Sequence, residues 1–176
     1  MSLVRRALTS TVSTPGVTPG ARDDWQTPAW LFGALDLEFR FTLDAAATEE
    51  TAMVRNSFLG PEEDGLRCSW GGRGSTVWLN PPYGRAVGEW VAKARQESER
   101  GAVVVVLIFS RTDTAWWHDV VMAHADEVRL IRGRLHFVRA DGHTGPCTKG
   151  CALVVFRGES GTPPKFSAMT RSHASL

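Results

Sequence analysis

Asn80, Pro81, Pro82 and Tyr83 stand in a row where an apolar, strand-forming run gives way to a helical pattern, in "STVWLNPPYGRAVGEWV". Neither proline has an N–H for a strand ladder, so the strand must end there. Such a corner suits the activation of an amino group on a nucleobase. The lone pair of that nitrogen is delocalised into the ring, and it becomes nucleophilic when acceptors hold both N–H groups and favour a tetrahedral nitrogen. The Asn80 side-chain oxygen offers one acceptor and the Pro81 carbonyl the other. Pro82 restricts the residue before it to extended backbone, which fixes the direction of that carbonyl. Tyr83 adds a flat face for an extruded base. A rigid turn alone explains one proline, but not a strand that delivers Asn and Tyr together.

Residues of this kind must be carried by strands and helices that aim them at one place. Thr27-Pro28 is a helix start, with the hydroxyl as cap and proline at the first helical position, and Trp30, Leu31, Ala34 and Leu35 fall on one face. "FRFTLDAAAT" reads as a strand ending in Asp44. After the strand that ends in Asn80, Val87, Trp90, Val91 and Ala94 form a helical stripe, with Glu89 and Lys93 paired outside it. "AVVVVLIF" (102–109) has the length of a fully buried strand. A helix with Trp116, Trp117, Val120 and Val121 inward follows, then the strands "EVRLI" and "CALVVF". Strands alternating with helices predict an α/β fold: a mostly parallel sheet, helices on both faces, and a C-terminal antiparallel hairpin. In such sheets ligands bind beyond the carboxyl ends of the strands. Asp44, Asn80 and the segment from Ser110 to Asp113 each follow a strand directly, so all three point to one cleft.

The whole chain sets outer limits. Its 176 residues, 43% hydrophobic and 22% charged, suit one domain with one core. We expect a flexible tail over 1–23, the domain over 24–157, and a second tail over 158–176, because the ends are rich in Ser, Thr, Pro and Gly. No apolar run is long enough to cross a bilayer, and the N-terminus lacks the apolar core of a secretory signal. Three cysteines, Cys68, Cys147 and Cys151, are an odd number that points to reduced thiols in a cytoplasm. Cys147 and Cys151 near His143 imitate a metal cluster, but no second ligand pair follows and no metal is expected. The net charge is only +1, so nucleic-acid affinity would need a local basic surface. Val128 to Cys151 supplies one: Arg129, Arg132, Arg134, Arg139 and Lys149 face only Asp141, an excess of +4. This stretch reads either as a DNA-contacting hairpin or as a solvated charged loop.

"NPPY" after a hydrophobic strand resembles the catalytic motif of S-adenosylmethionine-dependent amino methyltransferases. "WQTPAWLF", "FTLDAAAT", "EEDGL", "NPPYG", "SRTDTAWWH" and "GRLHF", in this order, resemble the phage DNA N-6-adenine-methyltransferase family, over about Asp24 to Phe156. The resemblance implies a Rossmann-like methyltransferase domain. It also implies S-adenosylmethionine as cofactor, DNA with a flipped adenine as partner, and a phage or prophage origin in a bacterial cytoplasm.

It implies site residues too. Asp44, with Ala45 beside it, would face the cofactor's methionine amino group, although no Gly-x-Gly follows and Asp44 also reads as a helix cap. Asp64 would accept from the adenine amino group, with Leu66 against the ring; a solvated acidic turn is the other account. Trp25 and Thr27 would line the methionine end together with Asn80. Glu49 and Glu50 are candidates for the ribose. Arg111 would meet DNA phosphate, or pair with Asp113 to cap the next helix. Arg132, Arg134 and Arg139 would hold DNA. Two alternatives stay open: methylation of a protein glutamine or an RNA base by the same acceptor geometry, and a cofactor- or DNA-binding protein without turnover. Nothing in the chain has the size of a separate target-reading domain, so sequence recognition is expected to be short or relaxed.

Overall fold

The run Val103–Phe109 forms the longest strand, β3, and Val104 through Ile108 are fully buried. A strand covered on both faces needs apolar side chains at every position, which is why this one shows no alternation. The computed structural model describes residues 26–139, 142–158 and 163–171. In chain order the other strands are β1 (Leu43–Asp44), β2 (Thr76–Leu79), β4 (Glu127–Ile131), β5 (His136–Val138), β6 (Thr144–Pro146), β7 (Cys151–Phe156) and β8 (Lys165–Met169). Six of them make one sheet in the order β1-β2-β3-β7-β4-β8, and β5 and β6 make a separate antiparallel ribbon.

β1, β2 and β3 run parallel, so their carboxyl ends share one edge. β7 is antiparallel to both β3 and β4, which gives the expected antiparallel pairing of "EVRLI" with "CALVVF". With β8 parallel to β4, the sheet is mixed. Helix α1 (Ala29–Phe39) buries Leu31 and Leu35 on one face, against Trp78, Val105 and Leu107. Helix α2 (Val87–Glu99) and a π-helix (Trp117–Met122) cover the other face, against Val77, Leu79, Val104 and Val106. Successive residues of β2 and β3 thus feed two cores, as the two-residue period of a strand requires. α1 stops at Arg40, whose backbone is left-handed at φ 57°, and the Asp36 carboxylate accepts the Phe41 N–H at 2.9 Å.

Four local expectations change. Pro28 is the cap residue of α1, and no side chain caps the helix. The Pro28 carbonyl accepts from Leu31 and Phe32, so Thr27 lies one residue too early to act as cap and faces the cleft. Lys93 pairs with Glu97 at 2.7 Å and not with Glu89, because Lys93 and Glu97 share the buried side of α2 while Glu89 is exposed. The Trp116 helix has π geometry over Trp117–Met122, with Trp117 and Val121 still directed inward. Lys165–Met169, expected in a C-terminal tail, pairs along its length with Glu127–Ile131, so the domain reaches past residue 157. Residues 1–23, expected as the N-terminal tail, lie outside the described residues.

Candidate active site

A cavity of about 1170 Å³ opens at the carboxyl edge shared by β1, β2 and β3. Asp44 is the last residue of β1 and is in register with Trp78, and Asn80 follows the last residue of β2. Both line the cavity, as do Thr27, Asp64, Tyr83 and Arg111. The fold therefore gathers Asp44, Asn80 and the segment after β3 as the strand pattern predicts. Pro81 and Pro82 line it as well, the first buried and the second exposed.

Asn80 is the most informative side chain here. Its Nδ2 reaches the Thr27 hydroxyl at 3.5 Å, while its Oδ1 is buried and has no hydrogen-bond partner among the described residues. A buried amide oxygen without a donor costs about 1–3 kcal/mol. The nitrogen side of the amide thus has one long contact and the acceptor side has none among the described residues. Tyr83 folds back over the end of β3, where its ring stacks on Phe109 at 4.0 Å and 21° and meets Phe137 edge-on at 6.3 Å. Its hydroxyl donates to the Leu107 carbonyl at 3.4 Å, and burial pushes the phenol well above its ordinary range. Phe109 thus holds one face of the Tyr83 ring.

Asp44 is 2% exposed and accepts the Met53 N–H at 2.9 Å and the Ala46 N–H at 3.4 Å. It caps turns of the loop that follows β1; no helix begins there among the described residues, so it is not the helix cap that the sequence offered as its other reading. Burial pushes its carboxyl up to about 6, against the pull of those two N–H groups, and no ion pair offsets that burial among the described residues. Met53, Thr48 and Thr51 of the same loop line the cavity. Glu49 and Glu50 are exposed and do not line it.

The "EEDGL" turn closes the far side. Asp64 is exposed, adopts φ 50° and pairs with Arg67 at 3.2 Å. Gly65 beside it is buried, and a Cβ there would stand 2.4 Å from the Ala45 carbonyl and 2.8 Å from the Trp90 ring. Only glycine lets the turn lie this close to the end of β1. Ala45 and Leu66 do not line the cavity; both pack in or against the core under it. Trp25 lies outside the described residues.

The rim is cationic on one side. Arg85, Arg111 and Lys149 line the opening. Arg111 and Asp113 pair at 3.3 Å, and that bond holds the Asp113 carboxyl below its ordinary range. The β5–β6 ribbon forms a wall through Phe137, Gly145 and Pro146, with Cys147 just after it, and Gln26 joins the ribbon to the entrance by bridging Val138. Arg129 cannot serve the rim, because Glu38 binds it at 2.7 Å through two nitrogens and Glu127 binds it as well. Arg132, Arg134 and Arg139 do not line this cavity. Cys147 and Cys151 are free thiols 3.5 Å apart, and no group of three His, Cys, Asp or Glu among the described residues is arranged to hold a metal.

Sequence patterns did not reveal Trp90, Thr48, Thr51, Gln26 or Gly65 as part of the site. Trp90 reads as core in a helical stripe. The threonines belong to an irregular loop without a pattern. Gly65 alone left a trace, as a glycine after an acidic turn.

Known proteins resemble this chain at two levels. A family model described as DNA N-6-adenine-methyltransferase (Dam) matches residues 16–174. The DNA N-6-adenine-methyltransferase of Escherichia phage T1 is 33% identical over 160 residues, which cover 80% of this chain and 65% of that protein. The chain therefore spans just under two thirds of that relative's length. In three dimensions, a Listeria monocytogenes protein described as a class I S-adenosylmethionine-dependent methyltransferase superposes with a TM-score of 0.50 at 11% identity. That match covers 92% of this chain and 69% of the other, and it shows the fold.

Proposed function

The chain belongs to the DNA N-6-adenine-methyltransferase (Dam) family, and from this premise we propose that it transfers the methyl group of S-adenosylmethionine to the N6 amino group of an adenine in DNA. The observation that carries the proposal is the buried, unpartnered Asn80 Oδ1 at the end of β2, in a cavity that also holds Asp44. S-adenosylmethionine supplies a methyl group on a positively charged sulfonium, so its leaving group is activated without a metal.

The residues fit that cofactor. Asp44 is a buried carboxylate without a cation, and an ammonium group would complete it. The loop from Ala46 to Met53 and the Gly65 turn enclose the space between them, with Trp90 at its floor. Asp64 would accept from the cofactor's adenine amino group, and Thr48 and Thr51, in place of Glu49 and Glu50, would offer hydroxyls to its ribose; all three line the cavity.

Asn80 Oδ1 and the Pro81 carbonyl would accept the two N–H groups of the target amine and direct its lone pair at the methyl carbon. When bound, S-adenosylmethionine would supply the methyl group and leave as the neutral thioether, and the proton of the amine would pass to water. Positioning and preorganised acceptors supply the rate. The adenine would leave the duplex to reach this depth and lie against Tyr83, held from behind by Phe109. Arg85, Arg111 and Lys149 would meet phosphates at the rim. The phage relative and the free thiols favour action in a bacterial cytoplasm.

The test offers the protein labelled S-adenosylmethionine with duplex DNA, RNA, or a glutamine-containing peptide. Mass spectrometry of the digested products identifies the acceptor. N6-methyladenine from DNA is the expected result; label found only in RNA or peptide, or in none of them, overturns the proposal.

A further inference from the structure

A second, smaller cavity of about 270 Å³ lies on the other side of the β5–β6 ribbon and shares no lining residue with the first. Arg132, Arg134, Arg171 and His136 line it, and Trp30 gives it an aromatic wall. Among the described residues no carboxylate lines it. The Arg171 guanidinium lies over the Trp30 ring at 5.8 Å. Neither Arg132 nor Arg134 forms an ion pair among the described residues. Three arginines thus line one small recess with no ion pair for any of them among the described residues, and an anion there would offset the repulsion between like charges. Guanidinium forks suit phosphate geometry in particular.

The location selects which phosphate. His136 lines this recess and Phe137, the next residue of β5, lines the large cavity. Consecutive strand residues face opposite sides, so one short strand separates the two spaces. Arg139, by contrast, lines neither cavity; it sits at the ribbon's turn with its N–H on the His143 carbonyl at 2.8 Å.

We propose that this recess is a second contact with the substrate, holding a backbone phosphate of DNA beyond the target base. The proposal rests on the reading of the protein as a DNA methyltransferase. It divides the basic stretch in two: Lys149, with Arg111 from after β3, serves the rim of the catalytic cavity, while Arg132 and Arg134, with Arg171 from after β8, hold duplex that continues past the ribbon. A chain with a net charge of +1 would then place its nucleic-acid affinity in two small cationic patches and not over its whole surface.

The experiment compares wild type with Arg171→Glu, whose side chain is exposed, and with Arg134→Glu as a second variant. Binding is measured over a salt titration to duplexes of about 8 and about 20 base pairs, near 27 and 68 Å at 3.4 Å per step. Wild type should bind the longer duplex with the steeper salt dependence. Each variant should lose about 0.9 from that slope per phosphate contact, while binding of the short duplex and of S-adenosylmethionine stays at wild-type levels for Arg171→Glu. Equal slopes for wild type and both variants on the long duplex overturn the proposal. Inorganic phosphate is titrated as a further arm. If it binds wild type but not the variants, and duplex affinity is unchanged, the recess is a free-phosphate site and the DNA assignment fails. Failure of the methyltransferase reading shows separately, as absence of N6-methyladenine with either duplex.

Discussion

Asp44 and Glu97 are both buried carboxylates, at 2% and 0% exposure, yet the fold treats them in opposite ways. Glu97 accepts from Lys93 at 2.7 Å, from Arg100 at 2.6 Å and from the Trp70 N–H at 3.0 Å. Burial raises its carboxyl, but these partners outweigh burial and hold it below the ordinary range. Asp44 has two backbone N–H groups and no cation, so burial prevails and its carboxyl rises to about 6. The first group is complete without a ligand and ties α2 to the Trp70 loop. The second is incomplete, and it opens on the cavity. A buried charge whose partners are all internal is structural; one that lacks its counter-charge marks where a charged ligand belongs.

The largest effect expected from this contrast is on stability. Glu97→Ala leaves Lys93 buried without its partner and should cost about 3–5 kcal/mol in thermal or denaturant unfolding. A loss below about 1 kcal/mol would show that Lys93 reaches water easily, and the contrast would weaken. Because the folded-state carboxyl is depressed, the stability that Glu97 gives is present above its unfolded pKa and is lost as the pH falls through the folded value.

Tyr83 comes next. Tyr83→Ala removes the ring between Phe109 and the open cavity and should weaken DNA binding by roughly 1–3 kcal/mol in a base-stacking comparison. Tyr83→Phe should be close to wild type, since the hydroxyl makes one long bond, 3.4 Å, to Leu107. Equal damage from both would give the hydroxyl its own role.

Asp44→Asn should have the smallest and most diagnostic effect on folding. A carboxyl raised from 3.8 to about 6 is more protonated folded than unfolded, so its contribution is most favourable below about pH 4 and is lost as the pH rises through 6. At pH 7 the ionised group opposes folding by on the order of 3 kcal/mol. Asparagine avoids that cost but replaces one acceptor oxygen, so the unliganded variant should be more stable by about 1 kcal/mol. Its affinity for S-adenosylmethionine should fall, and the decline in wild-type affinity below about pH 6 should disappear, both readable by calorimetry. A destabilised variant with unchanged affinity would make Asp44 a cap and nothing more.

Much of this arrangement is legible in the sequence where a local pattern carries it. The unbroken apolar run of β3 announces a strand covered on both faces, and Asn80 to Tyr83 announce a strand end at a ligand edge. The stripe of Val87, Trp90, Val91 and Ala94 locates α2. What depends on distant partners is silent. β8 has four exposed residues and borrows its order from β4, so no alternation betrays it. Glu97 looks like a solvated charge until Trp70, 27 residues away, supplies its N–H. The basic stretch from 128 to 151 shows its charge but not its division, because Glu38 removes Arg129 from 91 residues away and Arg171 joins from beyond the expected boundary. The close approach of Gly65 to Ala45 is likewise a fact of packing alone.

The central claim is that Asn80 holds the target amine and not the fold. Asn80→Ala, assayed by single-turnover methyl transfer to DNA beside calorimetry with S-adenosylmethionine, tests it most directly. Loss of one preorganised acceptor should slow transfer ~100-fold or more, with cofactor affinity near wild type and little loss of thermal stability, since Oδ1 has no partner among the described residues and Nδ2 makes one long contact, 3.5 Å, to Thr27. Transfer at the wild-type rate would contradict the assignment of the site.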